Sequence, residues 1–201
     1  MVWFLASVPI GILMFRLVRF LSTPLLRAIG FYRYHSPMFF TMPFGAKTLD
    51  MHLGTTWDFM QLRDRSVPTM FRHVCSGLLD ICDKVEAGQI AADVRLRATM
   101  YFLSAERLQR FGFTCRRMNV AETVAFLANY AEVCFLQSLM KQRICLINIR
   151  DVRIVTVRGS ELLQQRSTIA GVRAALARGL RSGTEEQAHG GVVAATVAGK
   201  V

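Results

Sequence analysis

The stretch 49-LDMHLGTTWDF-59 opens as a strand and ends in a cluster of small, hydroxylated, aromatic and acidic residues. Alternation with period two sets Leu49, Met51 and Leu53 on an inward face and Asp50 and His52 on the outward one. Upstream, Tyr34 to Thr48 is aromatic and interrupted by Pro37, Pro43 and Gly45, which reads as an extended entry followed by a turn. Downstream, polar residues 61–66 lead to a helix opening near Thr69 behind Pro68. Phe71, Val74, Cys75, Leu78, Cys82 and Val85 recur on it at helical spacing, and Gly88 supplies a stop.

Val94 to Leu103 is a second strand, with Arg95, Arg97, Thr99 and Tyr101 opposite Val94, Leu96, Ala98, Met100 and Phe102. Ser104 caps a short helix that ends at Phe111-Gly112, and residues 113–118 form a further short strand. Asn119 with Glu122 makes a capping box for the longest helix, which runs to about Met140. Its residues are apolar nearly all round, so it is expected to be buried in the domain or against lipid; Glu122, Asn129 and Glu132 favour a central core helix. Arg143 to Gly159 reads as two strands about a polar turn at Asn148 to Asp151. A last helix follows Gly159, and the Gly/Ala/Val-rich segment from Ser182 is expected to be disordered.

This order implies an α+β or α/β fold: a small mixed sheet on a long buried helix and two shorter helices, behind an apolar N-terminal helix. Three segments follow: 1–33, a membrane-associating helix; 34–165, the α+β domain; 166–201, a helical extension and tail. At 201 residues the chain can bury a core of its own. Hydrophobic residues make up 52%, charged ones 19%, and the net charge is +11.

Four arginines and no acid lie between Met1 and His35, whereas sixteen basic and eleven acidic residues share 36–159. Cations and apolar residues are therefore densest at the same end, a pairing that suits an anionic membrane surface better than nucleic acid. The uncharged run Val2 to Phe15 would reach roughly 21 Å as a helix, short of a hydrocarbon core of about 30 Å. Three arrangements stay open: an interfacial helix, a true span that leaves the bulk of the chain in the cytoplasm, or a helix capping a protein core. In the first, Trp3, Phe4, Phe15 and Phe20 enter lipid and Arg16, Arg19 and Arg27 reach phosphates, placing the domain on the cytoplasmic side of an inner membrane. Pro9 and Pro24 weigh against one straight helix. His35 fits a membrane interface, and His73 and Asp80 fit an exposed helix side. Five scattered cysteines without a C-x-x-C suggest reduced thiols, not a disulfide framework or a zinc site.

Candidate chemistry centres on the outward strand face. Asp50 and His52 could act with Asp58 in acid–base chemistry, or with Thr55, Thr56, Trp57, Arg95, Arg97 and Tyr101 bind an anionic group. The plainer reading is a solvated sheet face, with Trp57 closing the core edge. No dinucleotide, P-loop, zinc-protease, nucleophile-elbow or deaminase motif occurs, and no cofactor or metal is expected. Nucleic acid is disfavoured as a partner; a lipid surface or an envelope protein fits better.

Leu49, Met51, His52 and Leu53, followed by Arg107, Leu108, Phe111, Gly112 and Phe113, resemble the layout of the YkoP-like domain of bacterial proteins over about 36–159. Gly54 departs from the bulkier polar residue of that pattern. The resemblance implies an envelope-linked module of unassigned activity and carries over no catalytic residue.

Overall fold

A computed structural model of the chain describes residues 2–179. Strand β1 (Arg33–Ser36) and strand β2 (Phe39–Pro43) form an antiparallel hairpin out of the aromatic entry segment. Strand β3 (Thr48–Leu53) pairs antiparallel with β2 and brings the Leu49 to Leu53 alternation into the sheet. Met51 is buried on the inward face, as expected. A short helix α2 (Thr56–Gln61) and the long helix α3 (Val67–Glu86) then return the chain to strand β4 (Arg95–Met100), which runs parallel to β3.

Helix α4 (Ala105–Arg110) leads to strand β5 (Thr114–Arg117), and helix α5 (Val120–Lys141) leads on to strand β6 (Arg153–Arg158). Strand β6 inserts between β4 and β5, antiparallel to both, giving the order β1-β2-β3-β4-β6-β5. Helix α6 (Gly159–Gln164) and helix α7 (residues 166–179) close the described chain. The fold is a mixed-sheet α+β one.

Local chemistry explains most of the boundaries. Ser66 caps α3 through Thr69 N–H with a proline in the first turn, and Gly88 follows with φ of 70°. Ser104 caps α4, and Asn119 with Glu122 forms the capping box of α5. One sheet face is covered by α3, α6 and α7, where Ile81, Cys82, Leu96, Val155 and Leu162 are fully enclosed. Each such Ile or Leu contributes about 2 kcal/mol by leaving water. His35 is not an interface residue. Its Nδ1 lies 2.6 Å from Asp80 of α3 and its Nε2 2.8 Å from Thr41, so it clamps the hairpin to that helix. Burial pushes its pKa below the usual histidine value despite the neighbouring carboxylate.

Three expectations need correcting here. The central core helix is α3, with nine buried residues, and not α5. Helix α5 buries only Phe126, Cys134 and Gln137, while Val120, Val124, Leu127, Phe135 and Leu139 form an uncovered stripe on its other side. Its apolar surplus exceeds what one sheet face can cover. Residues 143–148 form no strand: Ile144 is 91% exposed and Leu146 78%. Both edges of β6 are already taken by β4 and β5, which rules out the expected hairpin of this segment with β6. Helix α1 (Val2–Ala28) runs unbroken past Pro9 and Pro24.

The side chains of Trp3, Phe4, Phe15, Arg16 and Arg19 lie outside the described residues, as does the segment from Ser182 expected to be disordered. Phe20 and Arg27, read as lipid contacts, face the domain. The Phe20 ring meets Trp57 edge-on at 5.1 Å, and the Arg27 guanidinium lies 4.4 Å from the Tyr34 ring centre and 3.9 Å from Asp58.

Candidate functional site

The outward faces of β3 and β4 meet through their register. Asp50 stands opposite Arg97, and their side chains approach to 3.7 Å. The other Asp50 oxygen lies 3.1 Å from His52 Nε2, although no hydrogen bond forms at that buried nitrogen. Arg97 also donates to Glu122 of α5 at 2.9 Å and stacks over the Phe44 ring at 4.6 Å. Phe40 lies parallel to the His52 ring at 5.3 Å and fixes its plane. The arrangement expected from parity, with Arg97 joining Asp50 and His52, is present.

Glu122 has a second role beyond capping. Two bonds from Arg116, at 2.5 and 2.7 Å, pull its carboxyl down to about 2; the Asn119 N–H and the Arg97 charge add to this, against the upward pull of burial. A carboxyl with a folded value below its unfolded one, near 4.3, stabilises above that unfolded value and ceases to as pH falls through about 2. Glu122→Gln should therefore cost about 2 kcal/mol at neutral pH, after allowance for the half-exposed Arg116. The difference from the parent should vanish between pH 5 and pH 2 in urea denaturation; a difference that persists at pH 2 would refute the assignment.

The loop after β3 is structural. Thr55 caps α2, and Asp58 Oδ2 accepts from Thr55 N (2.8 Å), Thr55 Oγ1 (2.9 Å) and the Tyr34 hydroxyl (2.6 Å). Asp58 is thus a buried anchor joining α2 to the hairpin, not a free acid. Burial, together with the Asp58 hydrogen bond, holds the Tyr34 phenol above its ordinary pKa. The Thr56 hydroxyl donates to Glu132 of α5, and Trp57 packs on α1. Arg95, opposite Thr48 and Arg158, is exposed at the far end of the ladder and takes no part.

Strands β3 and β4 are paired only from Thr48/Arg95 to Asp50/Arg97. Beyond that point β3 follows β2 as far as Leu53 and β4 follows β6 as far as Met100, so the sheet divides. The divide opens into a cavity of ≈ 550 Å³ that His52, Thr55, Arg97, Thr99, Tyr101 and Glu132 line together with many Met, Phe and Leu side chains. Of the residues singled out from sequence, His52, Thr55, Arg97 and Tyr101 reach it, whereas Thr56, Trp57, Asp58 and Arg95 do not. Asp50 stands behind His52. The α5 residues Glu122, Asn129 and Glu132 were legible as oddities in an apolar helix, but nothing local showed that they face the strands. Comparison with protein-family models, curated proteins and solved structures finds no match.

Proposed function

We propose that the protein is a non-catalytic binding module that works at a membrane surface, with its α+β domain on the cytoplasmic side. One observation carries this reading. Ile10, Met14, Leu17, Val18, Leu21 and Leu25 form an uncovered stripe along α1, while Phe20, Thr23 and Arg27 hold the same helix to the domain. An apolar helix face of that length left in water is costly, and a stripe beside a chain of net charge +11 suits an anionic bilayer. The α5 stripe offers a second such face. Among the described residues α5 is also long and apolar enough to cross a membrane, with 17% of its apolar window buried. Glu122 and Glu132, however, tie it to the sheet and to α2, which supports a helix lying along the domain with its apolar side outward. An envelope protein could cover the same faces.

The test is flotation of the full chain with vesicles of phosphatidylglycerol and of phosphatidylcholine. It should float with the anionic vesicles, and Leu21→Glu with Leu25→Glu should lower the bound fraction at least about tenfold, since each apolar side chain contributes ~1.5–3 kcal/mol. A parent chain that stays at the bottom of the gradient would sink the proposal. A second reading, chemistry on an anionic membrane-derived substrate, is favoured by the Asp50–His52 pair beside the cavity. Its weakness is that Arg97, the cation that would hold such a substrate, is already engaged by two carboxylates. Turnover of the anionic lipid in the same vesicles, lost in His52→Gln, would decide for it.

A further inference from the structure

The divide between β3 and β4 has the form of a ligand site and not of a packing flaw. Ligands of open sheets sit where parallel strands end and their connections part, and β3 and β4 are the parallel pair. The hydrogen-bond parity fixes what the gap presents. Gly54 N–H donates to Met38 and Gly159 N–H to Val94, so Leu53 is turned away from β2 and Thr99 away from β6. The peptide groups of Leu53 and Thr99 therefore point into the gap, past the last rung of the ladder. Thr99 is correspondingly exposed in mid-strand. Tyr101 also lines this space, and its hydroxyl makes no hydrogen bond with a described residue. Burial, reinforced by the nearby Glu132, pushes its pKa above the ordinary tyrosine value, which keeps the phenol a donor.

The charges on the β4 and α5 sides of the cavity are internally balanced, and the other lining cation, Arg107 of α4, is solvent-exposed. Arg97 lies between Asp50 and Glu122, and Glu132 accepts from Thr56. At Arg97 an anionic headgroup would have to displace a carboxylate and then sit beside Glu122 and Glu132, an arrangement penalised by both repulsion and desolvation. Apart from Arg107 and Asn129 the rest of the lining is mostly apolar: Met51, Leu78, Phe102, and Phe126 with Met140 come from four different elements or connections. A volume of ≈ 550 Å³ lies within the ~300–1,000 Å³ typical of small-molecule sites.

We propose that the divide between β3 and β4 binds an uncharged amphiphile. Its elongated apolar body lies among the Met, Leu and Phe side chains, and its hydroxyl or carbonyl end is held by Tyr101 and the free peptide edge at Thr99. Such a molecule could come from a bilayer or from solution, so the site does not depend on the membrane reading.

The test uses the full chain in buffer without vesicles, with the neutral fluorophore N-phenyl-1-naphthylamine as probe and a series of 1-alkanols as competitors. Probe emission should rise on binding, and each added methylene should improve displacement ~4-fold until the cavity is filled. Carboxylates of equal length should compete at least about tenfold less well. Val133→Trp, which fills the α5 wall, should abolish the emission rise with an unchanged far-ultraviolet spectrum. The isosteric Tyr101→Phe should weaken alkanols about five- to tenfold and the probe less than about twofold. If Val133→Trp does not fold, Tyr101→Phe carries the test alone. Absence of an emission rise, full emission in folded Val133→Trp, alkanol affinity unchanged in Tyr101→Phe, or carboxylates that match the alkanols would each overturn the proposal.

Discussion

Asp58→Ala is expected to remove about 3 kcal/mol of stability. The carboxylate is only 4% exposed, and one of its oxygens receives three donors. Truncation leaves the Thr55 N–H, the Thr55 hydroxyl and the Tyr34 hydroxyl without their acceptor, and it destroys the α2 capping box. Tyr34→Phe removes a single donor and should cost about 1.5 kcal/mol. Urea titration followed by tryptophan fluorescence, with Trp57 adjacent to the anchor, measures both. If the two variants cost the same, Asp58 is held by Tyr34 alone and the three-donor account is wrong.

Gly77→Ala should be destabilising even though alanine is the better helix former. A Cβ at position 77 would come 2.2 Å from Phe39 Cδ1, 2.7 Å from Cγ and 2.9 Å from Cβ. The ring cannot swing away, because its own Cβ is among the clashing atoms and Phe39 is buried in β2. Overpacking of this kind costs ~1–3 kcal/mol and here falls at the upper end. The propensity gain returns about 1 kcal/mol, for a net loss of about 2 kcal/mol. Phe39→Leu in the same chain should recover part of that loss in a double-mutant cycle. Additive losses would mean that the helix simply shifts outward.

Both substitutions bear on what could be read before the fold was known. The caps at Ser104 and Asn119 and the alternation of Leu49 to Leu53 were legible because they depend on residues within one or two turns of each other. The β1–β2 hairpin was not, since Pro37, Pro43 and Gly45 signal interruption; Pro43 is in fact tolerated as the last residue of its strand. Residues 143–148 failed for the opposite reason. Their apolar character is strand-like, but whether a strand forms depends on a free neighbouring edge, and that is settled by the placement of β6. The amphipathic character of α5 was hidden by apolar residues on both of its sides. At the candidate site, parity alone put Asp50, His52 and Arg97 on one face. The parting of β3 from β4 follows from their other partners, which no local pattern encodes.

The position of β6 also governs how a growing chain can acquire this architecture. The strand that seals the middle of the sheet is the last of the described strands to be synthesised, so β5 emerges more than thirty residues, and β4 more than fifty, before the segment that joins them. Until Arg153 to Arg158 has left the ribosome, the Leu96 and Ala98 surface has only one flank occupied, and the nascent polypeptide carries an open edge that invites association with other chains. Emergence of β6, more than any earlier collapse, is then the step that completes the sheet.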